Sequence, residues 1–346
     1  MNVKDSIKIV WVDDEPSHEE DARTLESRRK ELEIEFISPL KFEGFLEKHE
    51  DGVDLFLVDD KLILRGETTS TSFNRRGLSV AAQFREKFPE IPIYLFSAYK
   101  EKGIYTTLAE AAESLADDIL DLKTIQRKGH DILYHDAIDY RRIRGSRRES
   151  VDSLFSLLYA PEDDRERIFF ALPESLKNGL SPQSETKLSY GNAIAFAKWT
   201  KRTFLKLPGF VYNSLYSATK LGITEDAFKD LASEFEDANY IGVFAKTSPK
   251  LWWDFKLRKI IFQLANEKLP EDDTTDLRIL TPKLFSLDES QTSKCIVCGE
   301  RYPETVGINK DDDEDYRPVH YRCSDPHPTK ARVLYFEEAR QFSKKE

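Results

Sequence analysis

Cysteine is scarce in this sequence, with three residues among 346. A small, odd number excludes a framework of paired disulfides, which is typical of small secreted domains. The sequence also lacks any apolar run near the roughly 20 residues that a membrane-spanning helix needs. Its first residues do not have the pattern of a secretory signal. We therefore expect a protein of the reducing cytoplasm, with no membrane contact.

Positive charge is in deficit, because 52 Lys and Arg residues are set against 63 Asp and Glu residues, giving a net charge of −11. This balance excludes a surface that is basic throughout, so contact with nucleic acid would need a local patch. The hydrophobic fraction of 40 %, with 22 Phe, 14 Tyr and 4 Trp, excludes a mostly disordered chain. The length of 346 residues predicts two or three domains.

The first part of the sequence alternates short apolar runs with charged, amphipathic segments. The predicted strands are Ile7–Val12, Ile34–Ile37, Asp54–Asp59, Ile91–Ser97 and Ile119–Lys123. The predicted helices cover residues 17–32, 40–48, 77–88, 106–116 and 131–143, and a polar loop covers residues 65–76. Strands that alternate with helices predict an α/β fold with a doubly wound parallel sheet.

The pattern changes near Gly145, where helical spacing with many aromatic residues replaces the alternation. A polar stretch, residues 266–276, indicates a linker ahead of a tail that holds all the cysteines. We predict three domains: an α/β domain over residues 1–145, a mainly α-helical domain over residues 146–275, and a small zinc-binding tail over residues 276–346.

Chemically active side chains stand at the ends of the predicted strands. Asp13 and Asp14 follow the first strand, Asp59 ends the third, Ser97 ends the fourth and Lys123 ends the fifth. The carboxyl ends of parallel strands meet at one edge of the sheet, and three carboxylates there repel each other unless a cation joins them. Mg²⁺ suits such a site because it binds few carboxylates and accepts phosphate oxygens. Asp59 is then a candidate nucleophile toward phosphorus, with a hydroxyl and an amine holding the other phosphoryl oxygens.

Four segments of this region resemble the response-regulator receiver family: Ile9–Glu15, Asp54–Asp59, Gly77–Leu78 and Ile91–Ala98. The resemblance covers the α/β domain and implies a flavodoxin-like fold that binds Mg²⁺. The roles it implies are phosphoacceptor for Asp59, direct Mg²⁺ ligand for Asp14, ligand through water for Asp13, third ligand for the Lys61 carbonyl, switch hydroxyl for Ser97 and active-site lysine for Lys123, with Lys128 as the alternative.

The same resemblance implies partners. The phosphoryl group would come from a histidine kinase or a phosphotransfer protein, and phosphorylation would change contacts with a downstream effector protein. We expect no enzyme activity beyond self-catalysed phosphoryl transfer and hydrolysis of the acyl phosphate. Ile63 departs from the family, which usually has Pro there, and the loop before Gly77 is about ten residues longer than usual. An inactive or phosphate-sink receiver that acts as an adaptor or scaffold in a bacterial system, for example in phage defence, stays open as an alternative. A homodimer also stays open.

The tail contains two pairs of metal-binding residues. Cys295 and Cys298 form a Cys-x-x-Cys pair followed by Gly299, and His320 and Cys323 form a second close pair. Four nitrogen and sulfur ligands in two pairs are typical of tetrahedral structural Zn²⁺, which leaves no open position for catalysis. The tail therefore resembles a zinc ribbon or a treble clef.

Two other features bear on nucleic acid. Five arginines lie within residues 141–148, and residues 214–235 have the spacing of a helix–turn–helix with Thr224 as an N-cap. The second helix of this pair is acidic, which favours packing or a protein partner over phosphate contact. We expect the arginines to pair with acidic surface groups. A DNA-binding transcription regulator stays open as the second alternative, although a nucleic-acid partner is not the expectation.

Overall fold

The structure is a computed structural model that describes residues 6–48, 52–64, 73–97, 115–146, 151–177, 190–309, 312–326 and 341–343. Its contacts divide the chain into two compact units. The first combines residues 1–154 with 178–198, and the second combines residues 155–177 with 199–346. The division into three domains stays a prediction.

A five-stranded parallel sheet lies at the centre of the first unit. The strands described in this unit are β1 (Ile7–Val12), β2 (Leu32–Ile37), β3 (Leu55–Asp59), β4 (Lys61–Leu64), β5 (Phe73–Arg76), β6 (Ile93–Ser97) and β7 (Asp118–Asp121). The sheet has the order β2-β1-β3-β6-β7, and among the described strands β4 pairs with β5 outside this sheet. When only the five strands of this sheet are numbered along the chain, their spatial order is 2-1-3-4-5, which is the flavodoxin-like order. The predicted doubly wound fold is therefore confirmed.

Helices cover both faces of this sheet, as the almost continuously apolar strands require. They are α1 (Ser17–Arg28), α2 (Phe42–Lys48), α3 (Gly77–Lys87) and α4 (Leu122–Ser146). Between the sheet and two of the helices, Phe56 stacks on Phe84 with ring centroids 3.7 Å apart, and Phe42 and Phe45 meet the Phe84 ring edge-on. Stacked aromatic rings fix the position of α3 against β3, the strand that ends in Asp59.

Two local predictions were wrong. Residues 73–76, predicted as loop, form β5 and pair with β4 in antiparallel register. The fifth strand ends at Asp121, and α4 begins at Leu122 where strand was predicted and a helix was expected only from residue 131. The Asp121 carboxylate accepts hydrogen bonds from the backbone N–H of Thr124 at 2.8 Å and from its hydroxyl at 2.6 Å, so it caps the helix early. Most of the helix predicted over residues 106–116 lies outside the described residues.

The second unit is mainly helical and has its own core. Described helices after α4 are α5 (Val151–Leu158), α6 (Glu162–Ala171), α7 (Glu174–Lys177), α8 (Tyr190–Trp199), α9 (Ser214–Lys220), α10 (Glu225–Asp230), α11 (Asp254–Lys268) and α12 (Leu277–Leu284). Of these, α8 belongs to the first unit up to Lys198, and α5 is divided between the two units after Leu154. The short strands β8 (Val211–Tyr212) and β9 (Trp252–Trp253) pair, and β10 (Thr305–Asn309), β11 (Asp312–Val319), β12 (Ser324–Pro326) and β13 (Gln341–Ser343) form a second sheet. None of the described helices is both long and apolar enough to cross a membrane.

Candidate functional site

Three carboxylates meet at the carboxyl ends of β1 and β3. Val12 is in register with Val58 in these neighbouring strands, so Asp13 and Asp59 leave the sheet side by side. One carboxylate oxygen from each of Asp13, Asp14 and Asp59 lies within 4.8 Å of the others. The structure therefore brings together the three acids that the sequence predicted as cation ligands.

Burial makes this cluster electrostatically costly. Burial, together with the neighbouring charges of Asp13 and Asp14, raises the pKa of Asp59 to about 7, although a hydrogen bond from the backbone N–H of Lys61 acts in the opposite direction. Burial also raises the pKa of Asp13, whose side chain has no solvent exposure. A hard divalent cation relieves both effects because it attracts all three carboxylates, and its preferred ligands are oxygens. The donor set thus fits Mg²⁺.

Asp13 is held by three hydrogen-bond donors. Its Oδ1 accepts from the backbone N–H of Glu15 at 2.9 Å, and its Oδ2 accepts from Trp11 Nε1 at 3.1 Å and lies 2.6 Å from His18 Nδ1. The sequence analysis did not single out His18. The sequence did contain a signal for His18, because it lies in the first turn of the helix after β1, and this turn has to lie at the carboxyl edge of the sheet.

Gly77 gives Asp59 its backbone position. A Cβ on Gly77 would lie far inside van der Waals contact of the Asp59 carbonyl oxygen and 2.9 Å from Asp60 Cα. The N–H of Gly77 donates to the Asp60 carbonyl oxygen at 2.9 Å. The hairpin of β4 and β5 therefore returns to Asp59 only because this position has no side chain.

Ser97 and Lys123 are placed differently from each other. Ser97 is the buried last residue of β6, one position after Phe96, which is in register with Asp59. Lys123 was predicted to end the fifth strand, but this strand ends at Asp121. Lys123 is exposed in the first turn of α4, and Asp121 is the residue in register with Ser97. Asp121, which caps α4, therefore occupies the strand end where the sequence predicted an amine. Lys123 is not at this position because the helix begins at Leu122.

The second unit contains the predicted Cys/His cluster. Ligand atoms of Cys295, Cys298, His320 and Cys323 lie within 4.8 Å of one another. The N–H of Gly299 donates to the Cys295 carbonyl oxygen at 2.9 Å, and Gly299 adopts a φ of +73°, so this glycine closes the Cys-x-x-Cys turn. The strands β10 and β11 then lead to His320. The cluster is a site that could bind a metal.

Hydrogen bonds around the cluster favour the metal-binding forms of His320 and Cys298. His320 Nε2 lies 3.1 Å from the carbonyl oxygen of Arg301, and its Nδ1 lies 3.4 Å from Cys298 Sγ. A carbonyl only accepts, so Nε2 carries the proton and Nδ1 keeps the lone pair that a metal needs. A hydrogen bond from the backbone N–H of Glu300 lowers the pKa of Cys298 to about 7, which favours the thiolate form.

The arginine-rich segment is engaged in ion pairs. Arg141 and Arg144 both bind the buried carboxylate of Asp54, and Arg142 pairs with Asp139 at 2.8 Å. Arg147 and Arg148 lie outside the described residues. These three arginines pair with acids, as the sequence analysis expected, but Asp54 and Asp139 are buried and are not the surface groups that it expected.

The predicted helix pair is short and packs into the core of the second unit. Thr224 caps α10, because its hydroxyl accepts from the N–H of Ala227 at 3.2 Å, as predicted. Ala227 and Phe228 are buried in the core, and α10 ends at Asp230, earlier than predicted. Phe228 stacks on Phe235 with ring planes 8° apart. These contacts favour packing as the role of the pair.

No protein-family model matches the sequence, and no curated protein matches it. Among solved structures, the chain is similar to a CheY-like receiver domain protein from Methanospirillum hungatei JF-1, with 16 % identity, a TM-score of 0.30, and coverage of 40 % of this chain and 98 % of that chain.

Two further solved structures are similar to a comparable share of this chain. A receiver domain protein from Clostridium thermocellum has 13 % identity and a TM-score of 0.31, with 40 % of this chain and 98 % of that chain covered. The isolated receiver domain of RcsB from Salmonella enterica serovar Typhimurium, with the phosphomimetic BeF₃⁻, has 14 % identity and a TM-score of 0.28, with 37 % of this chain and 88 % of that chain covered. The fold class of the first unit follows from its own strand order and register.

Proposed function

We propose that the first unit is a phosphoacceptor of a signalling relay, with Asp59 as the residue that takes the phosphoryl group. The observation that carries the proposal is the convergence of Asp13, Asp14 and Asp59 at adjacent strand ends. Three carboxylates within 4.8 Å of one another could hold a divalent cation, and phosphoryl transfer needs such a positive charge against the phosphate oxygens. The donor is proposed to be a histidine kinase or a phosphotransfer protein of the cytoplasm.

The chemistry assigned to the residues is a single displacement at phosphorus. A carboxylate oxygen of Asp59 attacks the phosphorus of a phosphohistidine, the N–P bond breaks, and the imidazole leaves with the electron pair while an acyl phosphate forms. Mg²⁺, when bound by Asp14 and Asp59, supplies positive charge to the phosphoryl oxygens. Ser97, on the neighbouring strand, donates its hydroxyl to one of these oxygens. Lys123 stays the predicted amine, reaching the site from the first turn of α4.

The acceptor role is tested with a small phosphodonor, such as phosphoramidate, and Mg²⁺. Intact mass spectrometry is expected to show one added phosphate in the wild type and none in Asp59→Asn. Asp60→Asn is the matched control, because it removes the adjacent carboxylate and leaves the cluster intact. No adduct in the wild type, or an adduct that persists in Asp59→Asn, would remove the phosphoacceptor and favour the adaptor alternative.

For the second unit we propose that Cys295, Cys298, His320 and Cys323 hold a structural Zn²⁺. Four ligands complete a tetrahedral set, and His320 is oriented by the Arg301 carbonyl. With no ligand position left for substrate, the cluster is proposed to stabilise the fold. We propose that the output of the protein is contact with an effector protein, since phosphorylation replaces the carboxylate charge of Asp59 by a larger, phosphoryl-borne negative charge on the strand next to Ser97 and the end of β6.

A further inference from the structure

Asp13 and Asp14 are adjacent in sequence but differ in their surroundings. Asp14 is partly exposed, and its carboxylate takes part in no hydrogen bond within the described part of the chain. Asp13 is fully buried, and three donors from Trp11, Glu15 and His18 converge on its two oxygens. A carboxylate has about four lone-pair positions, so three donors leave Asp13 about one position.

His18 supplies the shortest of these contacts, 2.6 Å from its Nδ1 to Asp13 Oδ2. A carboxylate only accepts, so the proton lies on Nδ1. The ring itself is fixed by packing, because it stacks on Trp11 with ring planes 28° apart and meets Phe96 edge-on, with both centroid distances 6.3 Å. Only 16 % of the His18 side chain is exposed. The donor therefore has one orientation, set by rings from β1 and β6.

We propose that His18 is a positioning residue of the cation site: it holds the carboxylate of Asp13 turned toward its own ring, in the orientation in which Asp13, Asp14 and Asp59 would together hold a divalent cation. This inference rests on the cation site of the proposed function, although not on the phosphoryl transfer. Residues that donate to a ligand from outside the coordination shell fix its orientation, and their loss typically costs about 10- to 100-fold in metal affinity.

A pair of variants separates the donor from the ring. His18→Phe keeps an aromatic ring for Trp11 and Phe96 and removes the N–H, whereas His18→Asn removes the ring and keeps an amide N–H at a similar distance along the side chain. The full-length protein is titrated with Mg²⁺ alone, with binding measured by calorimetry. Fluorescence of Trp11, whose indole N–H shares Asp13 Oδ2 with His18, is a second signal.

We expect His18→Phe to weaken Mg²⁺ binding by about 10- to 100-fold and His18→Asn to stay within about threefold of the wild type. Circular dichroism in the absence of metal checks that both variants fold. If His18→Phe does not fold, a double-mutant cycle of His18→Asn with Trp11→Phe, which removes the other donor to the same oxygen, replaces it. Additive losses of Mg²⁺ affinity would mean that the two residues act independently and would overturn the inference, whereas non-additive losses support a shared role at Asp13 Oδ2.

The outcomes are distinguishable from failure of the proposed function. A folded His18→Phe variant that binds Mg²⁺ as tightly as the wild type overturns the role of His18 and leaves the phosphoacceptor standing. A wild type that does not bind Mg²⁺ overturns both. Equal losses in His18→Phe and His18→Asn also overturn the inference, because the N–H that His18→Asn keeps would then make no difference to Mg²⁺ binding.

Discussion

At the scale of single residues, the buried negative charge of Asp59 destabilises the folded protein when no cation is bound. Its pKa rises to about 7 in the fold, so at neutral pH a metal-free protein keeps part of this acid protonated. The position of Asp59 depends in turn on Gly77, whose missing side chain lets two backbone segments touch. Both residues were singled out from the sequence. His18 was not, because its contact with Asp13 depends on the path of the chain between β1 and α1.

The first prediction concerns stability and pH. Because the folded pKa of Asp59 lies above the ordinary value of 3.8, the folded state binds its proton more tightly, and the free energy of unfolding falls as pH rises from about 4 to 7. In EDTA near pH 8, Asp59→Asn is expected to be more stable than the wild type by about 1–3 kcal/mol, with no difference below about pH 4. Urea unfolding measures this, with Asp60→Asn as control; a less stable Asp59→Asn near pH 8 would contradict it.

The second prediction concerns Gly77. Gly77→Ala is expected to lower the free energy of unfolding by about 2 kcal/mol or more and to abolish the phosphate adduct, because a methyl group displaces the Asp59 backbone. Gly44→Ala is the matched control. It lies in α2 with nothing within 4 Å of the added Cβ, and alanine there should stabilise the protein by about 0.5–1 kcal/mol. Thermal unfolding and intact mass give both results; a normal adduct in Gly77→Ala would count against this account.

At the scale of elements, the central strands β1, β3 and β6 were predictable because each is a short, mostly apolar run that is followed by an acid or by polar residues. Two elements were not. Residues 73–76 contain two arginines and no alternation of apolar side chains, so their pairing with β4 leaves no trace in the pattern. The segment Asp118–Lys123 is compatible with strand throughout, and only the capping contact of Asp121 with Thr124 decides where α4 begins.

A third prediction follows for this boundary. Asp121→Ala is expected to lower the free energy of unfolding by about 0.5–2 kcal/mol, because two hydrogen bonds at the start of a 25-residue helix are lost. Lys123→Ala, in the same turn and exposed, is expected to change it by less than about 0.5 kcal/mol. Chemical unfolding of both variants compares them directly. Equal effects would show that α4 does not depend on this cap.

At the scale of the whole molecule, the chain has two compact units, each with its own core and its own cluster of metal-binding side chains. The spacing of the cysteines and the histidine predicted the second cluster. Two ligands that are three residues apart lie close together in most backbone conformations, so the fold has only to bring the two pairs together. The boundaries of the units were harder to predict, since residues 178–198 return to the first unit after an excursion of the chain. Periodicity reports local structure and carries no signal for such a return.

A fourth prediction is that the two units respond to different ions. Mg²⁺ at about 100 times its dissociation constant is expected to stabilise the first unit by about 2.7 kcal/mol, whereas a zinc-selective chelator should destabilise the second. Trp11 reports on the first unit, and Trp199, Trp252 and Trp253 report on the second. Metal analysis should return one Zn per chain, lost in Cys295→Ser and kept in His135→Ala, which lies outside the cluster. A protein purified without zinc that keeps its stability would contradict this.

The identity of the phosphorylated residue is the most direct test of the central claim. An acyl phosphate is reduced by borohydride to an alcohol, which turns the acceptor aspartate into homoserine. After incubation with phosphodonor and Mg²⁺, peptide mass spectrometry of the reduced protein is expected to find homoserine at position 59 alone. Homoserine at position 14 or 60, or no homoserine at all, would contradict an acceptor at Asp59.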